Sequence, residues 1–348
     1  MDKFVEVYAA SDITFAYLMK ANLENAGISV QIANENLQGA YCIDGMVPRV
    51  LVPEKYAEQA KEIIKEIQNA PRKDLEDEYE EIDEEEQTDL HDASKENFLM
   101  DMKIKEKFIT LWKKYFNSAE LPIIFYYSNE IKDSELVKPS EAHRCIMLDI
   151  AKVRQGNSIC FNTDSIGCHG GKRYLGFSKN LMPNFEYFLS CGIPGKLEGE
   201  RYRKTPELVK ELMQKVPSFK APGKYIVFKR WDKLEESDSP EVVIFFAHGD
   251  ILSGLFTLAN FDADNPNGVF CPFSAGCGSI VEFPYLEQES ENPRAVLGMF
   301  DVSARPYVAE NLLSFSVPLK KFKSMLDNME ESFLITKSWQ KVQKRIGN

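Results

Sequence analysis

The chain predicts an α/β (α+β) protein, with a small β-α-β-β-α unit at the start and a larger mixed α/β domain behind it. Three observations carry this. The first 70 residues alternate between period-two and helical spacing of apolar residues, and residues 71–94 lose apolar content almost entirely. Beyond them, short apolar runs bounded by Gly and Pro again alternate with amphipathic segments.

The elements follow in order. Residues 3–9 alternate as a strand, and Ser11 or Asp12 can cap a helix facing inward through Phe15, Leu18, Met19, Leu23 and Ala26 and stopping at Gly27. Ile28 to Ala33 is a second strand and Pro48 to Val52 a third, with Gly39, Cys42 and Gly45 in the loop between. Tyr56, Ala60, Ile63, Ile64 and Ile67 mark a second helix. Residues 71–96 form an acidic linker; within it, 71–94 carry 12 Asp or Glu against Arg72 and Lys73. Uncompensated acids at helix-neighbour spacing repel, so an extended tether is expected.

The larger domain, 97–348, opens with a helix whose stripe is Phe98, Met102, Ile109, Trp112 and Phe116, interrupted at Lys105. Leu121–Tyr127 is a strand, and Pro139-Ser140 starts a helix burying Ala142, Cys145, Ile146, Ile150 and Val153. Ser158–Thr163 is a strand followed by a turn over Asp164–Gly171. Val242–Ala247 is apolar throughout, as in a strand covered on both faces, and His248-Gly249-Asp250 stands at its end before a helix. Strands are expected over Gly278–Phe283 and Ala295–Val302, and Pro318 begins a helix containing Phe322, Leu326 and Met329.

Composition narrows the function classes. With 348 residues, 44% of them hydrophobic, there is material for two cores. The formal charge of -12 falls to near -2 once residues 71–94 are set aside, so no basic field exists for nucleic acid or an anionic membrane. The start of the chain lacks the h-region of a secretory signal, and seven dispersed cysteines fit reduced thiols, so a cytoplasmic protein is expected.

Two resemblances follow from particular residues. Val5-Glu6-Val7-Tyr8, Ala26-Gly27-Ile28 and Val50-Leu51-Val52-Pro53 resemble the putative prokaryotic signal-transducing domain, a small ferredoxin-like family. That likeness implies a regulatory or partner-docking role for residues 1–70. From Leu121 to about Leu334 the chain resembles domain of unknown function family 169. Leu121–Phe125, Cys145–Ala151, Gly167–Gly171, Tyr174–Phe177, Glu241–Phe246 and Ala275–Gly278 carry that likeness. A Gly-Cys-Arg-Gly-like segment expected near the late strand reads Gly298-Met299-Phe300-Asp301 in this chain. The family implies no activity.

The candidate site rests on two glycine- and cysteine-bearing stretches, Cys168–Gly171 and Cys271–Gly278, expected to meet in a crevice with His248–Asp250. Cys145, Cys168, Cys271 and Cys277 are candidate thiolate ligands for zinc or an iron–sulfur cluster; the alternative is four small buried hydrophobes. Cys168 is a candidate nucleophile, with His143, His169 or His248 as its base, and His248 with Asp250 a candidate proton-transfer pair. Gly170, Gly171, Gly276 and Gly278 permit close backbone approach to a small ligand, and Lys172, Arg173 and Arg305 could hold its anionic part. The expected function is ligand or metal binding for sensing, with a protein partner through the N-terminal domain. An enzyme acting on an anionic small molecule is the alternative, and an interaction protein without cofactor a third reading. Asp262–Gly268 lacks the closing Glu of a calcium loop.

Overall fold

The computed structural model describes residues 3–9, 13–33, 48–69, 102–117, 119–139, 144–264 and 266–346. The chain divides into two compact units, one of residues 1–96, 141–143 and 184–210, the other of residues 97–140, 144–183 and 211–348. The expected acidic linker, the Ser11 and Asp12 cap, Cys42 and His143 lie outside the described residues.

In the first unit, β1 (Phe4–Ala9), α1 (Ile13–Asn25), β2 (Gln31–Ala33), β3 (Arg49–Pro53) and α2 (Ala57–Asn69) follow the expected order. β3 lies between β1 and β2, antiparallel to both. Met19 and Leu23 of α1, Val50 and Val52 of β3, and Ala60 and Ile64 of α2 close one apolar core. α1 ends where Gly27 takes a positive φ of 80° and Ile28 N–H returns to the Leu23 carbonyl, a stop that glycine permits at little steric cost. Residues 184–210 carry α6 (Phe185–Phe188), whose Glu186 pairs with Lys210.

In chain order, the second unit contains α3 (Met102–Phe116), β4 (Ile123–Ser128), β5 (Glu135–Leu136), α4 (Met147–Arg154), β6 (Ile159–Phe161) and α5 (His169–Tyr174). After α7 (Pro206–Lys215) come β7 (Tyr225–Arg230), β8 (Val242–Ala247), α8 (Gly249–Ala259), β9 (Val269–Phe270), a π-helical turn at Gly278–Glu282 and α9 (Phe283–Leu286). β10 (Ala295–Gly298), β11 (Leu313–Pro318), α10 (Leu319–Asn328) and α11 (Lys337–Gln343) complete it. Among the described residues its eight strands run β5-β6-β7-β4-β8-β11-β10-β9, antiparallel except at the outer pairs β5–β6 and β9–β10.

Alternation along β8 sorts the core onto two faces. Val243, Phe245 and Ala247 join a cluster with α3, α8, α10 and α11, where Phe108, Trp112, Trp231, Phe322 and Trp339 pack. Val242, Ile244 and Phe246 join the opposite cluster with Ile150, Val153, Leu175, Ile280 and Met299. Both faces are covered, so no position in Val242–Ala247 is exposed and the run carries no polar residue.

Four expectations shift. Lys105 interrupts the α3 stripe because its Nζ donates to the Leu234 carbonyl at 2.7 Å, and Phe108, Leu111, Trp112, Tyr115 and Phe116 carry the buried face. The helix expected from Pro139 is described only from Met147. Gly278–Phe283 is not a strand: Gly278–Glu282 forms the π-turn, its five residues all buried, and a short apolar run does not by itself distinguish a buried strand from a buried helix. The late strand stops at Gly298, where buried Met299 takes a φ of 69° and breaks the extended backbone.

Candidate thiol and carboxyl site

The two stretches singled out by sequence meet on the second face of the sheet. Cys168 is the extended N-cap of α5, and its Sγ accepts the Gly171 N–H at 3.4 Å. Gly171 is closely enclosed there: a Cβ would come 3.0 Å from the Ile166 side chain and 3.4 Å from the Cys168 Cβ. Across from it, a Cβ on Gly278 would lie 2.9 Å from the Tyr174 ring, so the bare glycine lets α5 rest against the π-turn. The loop before the turn is tied to the segment after β10, where Gly276 N–H donates to Asp301 Oδ2 at 2.9 Å. Ser279 Oγ donates to the Gly276 carbonyl and accepts the Met299 N–H.

Three thiols converge in this packing from separate segments. Burial pushes the Cys277 thiol well above its ordinary value, and nearby Cys168, Cys145, Asp301 and Glu282 add to the effect. Cys145 is pushed up to about 12, again by burial first, with Cys168 and Asp301 contributing against the backbone bond from Met147. Both sulfurs therefore stay protonated at neutral pH as they stand, the state opposite to that of an activated nucleophile.

Cys271 does not join them. It is exposed, and only partial burial raises it. The expected four-thiolate set is thus three thiols and an outlier, and no group of three His, Cys, Asp or Glu among the described residues stands close enough to hold a metal ion.

The expected crevice with His248–Asp250 is corrected as well. Its basis was the C-terminal end of a strand in an open α/β sheet, a crevice that goes with parallel strands, whereas β8 has antiparallel neighbours on both sides. α8 packs on the first face through Ile251 and Leu255, and Asp250 pairs with Arg345 at 3.0 Å. Asp250 is therefore engaged with the end of the chain, and His248 supplies the backbone N-cap of α8. Arg305 is consumed too: its guanidinium donates to the carbonyls of Leu312, Ala309 and Glu310, as a loop clamp. His169 is exposed at the first residue of α5, and Lys172 lies half-buried on the same short helix.

Arg173 stays with the site and is buried. Its two terminal nitrogens reach the Lys179 and Pro217 carbonyls at 3.3 and 3.4 Å, while its Nε has no partner. Opposite lies a residue that sequence reading passed over. Glu282 closes the π-turn with 0% exposure, and neither carboxyl oxygen has a hydrogen-bond partner. Burial pushes its carboxyl up to about 8, with Arg173 pulling the other way. The signal was available as one acid inside the apolar run Ile280-Val281-Glu282-Phe283-Pro284, but a strand reading would have turned that acid outward. Above it, Tyr127, Tyr285 and Phe219 pack ring on ring, with Tyr127 and Tyr285 centroids 5.4 Å apart.

A model of domain of unknown function 169, described as an uncharacterised ArCR family, matches residues 113–328, well over half of the chain and every part of this site. The chain belongs to the domain of unknown function 169 family. The family segment thus contains Cys145, Cys168, Arg173, Cys277, Glu282 and Asp301 together. A second model, described as a putative prokaryotic signal transducing protein, matches residues 4–68, the β-α-β-β-α unit ahead of the family segment. No curated protein and no solved structure matches the chain. No helix among the described residues is long and apolar enough to cross a membrane.

Proposed function

We propose that this chain is a ligand-binding sensing protein. Its family unit would hold a small polar molecule at Glu282 and Arg173, and its N-terminal unit would act as the regulatory or docking module. The observation that carries the reading is Glu282, fully buried with both oxygens unpartnered, beside buried Arg173 with an unpartnered Nε. Buried polar groups are nearly always satisfied, and each such orphan costs about 1–3 kcal/mol. A ligand offering both a donor and an acceptor would satisfy the two at once. For the N-terminal unit, the placement of β3 between β1 and β2 with two helices supports a ferredoxin-like relationship.

The enzyme reading, with Cys168 as its thiol or His248 and Asp250 as its proton-transfer pair, is less well supported, because Asp250 pairs with Arg345 and His248 caps α8 on the first face of the sheet. Native mass spectrometry of the full chain, with metal analysis of the same sample, tests the proposal. A non-covalent adduct that is lost in both Glu282→Gln and Arg173→Met is the expected result. Stoichiometric zinc or iron would replace the organic ligand with a metal centre. An adduct-free mass, with no thermal shift from glycine, acetate or urea, would overturn the reading.

A further inference from the structure

We infer that Glu282 and Arg173 form a proton-operated latch over this site, a regulation that rests on the ligand-binding reading above. With the carboxyl protonated, Arg173 holds the carbonyls of Lys179 and Pro217; with it ionised, Arg173 turns to Glu282 and lets those two segments go.

The pieces are independent of any ligand. Glu282 and Arg173 are both buried, and Arg173 is the one cation acting on the carboxyl, yet no ion pair within 4.0 Å joins them. Also near Glu282 are Tyr174 from α5, Cys277 from the start of the turn and Tyr127 from β4, each raised first by its own burial and so neutral near pH 7. Asp301, Cys168 and Cys145 stand one step further out, around Cys277. No second cation competes for the carboxylate among these groups.

Arg173 holds its present partners weakly. Bonds of 3.3 and 3.4 Å to neutral carbonyls lie beyond the usual N–H···O range, and a carboxylate adds to the hydrogen bond the attraction between two opposite charges away from water. An ionised Glu282 therefore outcompetes them for the guanidinium, and drawing it across to the carboxylate takes both terminal nitrogens off their carbonyls. The carbonyls released belong to two segments flanking α5. One follows Gly176, whose carbonyl accepts the Ala221 N–H, and the other leads through Phe219, which packs on Tyr285 at 4.7 Å. Loss of the proton thus loosens the cover beside the site, and the raised carboxyl puts that event within reach of ordinary pH.

Hydrogen exchange on the ligand-free full chain at about pH 6.5 and about pH 9, corrected for intrinsic rates, tests this. The wild type is expected to lose roughly tenfold protection over residues 176–183 and 216–221 at the higher pH, a change absent in Glu282→Gln. Arg173→Met is expected to exchange fast there at both pH values. Protection that does not vary with pH in the wild type, or that varies equally in Glu282→Gln, overturns the latch. Should Glu282→Gln not fold, carboxyl infrared spectroscopy of the wild type decides: a protonated carboxyl band surviving at pH 7 and lost near pH 8 supports the latch, and its absence at pH 7 sinks it. Because no ligand is present, this result stands apart from the mass-spectrometric test of ligand binding.

Discussion

Replacing Asp238 should cost the family unit more stability than any other single surface-remote polar change, and the reason can be worked from its partners. Lys229 on β7 and Asp238 are each 1% exposed. Lys229 Nζ donates to Oδ1 at 2.9 Å and Oδ2 at 3.1 Å, Tyr126 Oη donates to Oδ1 at 2.5 Å, and Glu235 N–H donates to Oδ2 at 2.8 Å. The carboxylate also holds the Tyr126 phenol firmly protonated, after burial. Asp238→Ala strands an ammonium in the first core and removes two further acceptor contacts, for a loss of about 3–5 kcal/mol. Lys229→Met leaves the carboxylate with Tyr126 and the Glu235 amide, so its loss is smaller, about 2–4 kcal/mol. The double variant Lys229→Met/Asp238→Leu removes both charges and should sit within about 2 kcal/mol of wild type. Urea unfolding followed by tryptophan fluorescence is the natural assay, because Trp112, Trp231 and Trp339 all lie in that core. Single losses that add in the double variant, or an Asp238→Ala loss under about 1 kcal/mol, would refute the argument.

Other outcomes follow from the site. The folded protein keeps a proton on Glu282 up to about pH 8, whereas a free glutamate releases it near pH 4.3, so this group makes stability fall as pH rises through that window and then level off. Glu282→Gln should erase that slope and be more stable than wild type at pH 9 by a few kcal/mol; a pH-independent difference in urea midpoint argues otherwise. Gly278→Ala drives a methyl into the Tyr174 ring and Ser274 and should lose about 1–3 kcal/mol, while Gly249→Ala meets nothing within 4 Å and should be neutral or better; equal thermal shifts would contradict the packing. Disulfide-exchange labelling at pH 8 should modify Cys271 well before Cys145 and Cys277, and a fast Cys277 would mean its burial is wrong. Arg305→Ala should destabilise by about 1–2 kcal/mol with no change in the effect of added phosphate, since its donors already serve three carbonyls.

Period and punctuation made much of the architecture readable in advance. Val242–Ala247 matches its strand residue for residue because a strand covered on both faces has no polar position to blur its ends. Pro318 set the start of α10 through its own fixed φ, and Gly27 the stop of α1 through its positive one. The convergence of the Cys168 and Cys277 segments was also legible, as two glycine-bearing stretches suited to close approach. Which thiols share the site was not, because Cys271 and Cys277 are only six residues apart and the loop turns one outward and the other in.

What the amino-acid order determined by itself is therefore local: element type, breakpoints, the acidic stretch and the residue types near the site. The tertiary structure decided which of those residues act together. It assigned Asp250 to Arg345, spent Arg305 on carbonyls, and turned the run after Gly278 into a π-turn that carries Glu282 inward beside Arg173. Periodicity reports which side of an element faces apolar surroundings, but a carboxyl's protonation depends on the charges and solvent around it, and those are supplied by segments more than a hundred residues away.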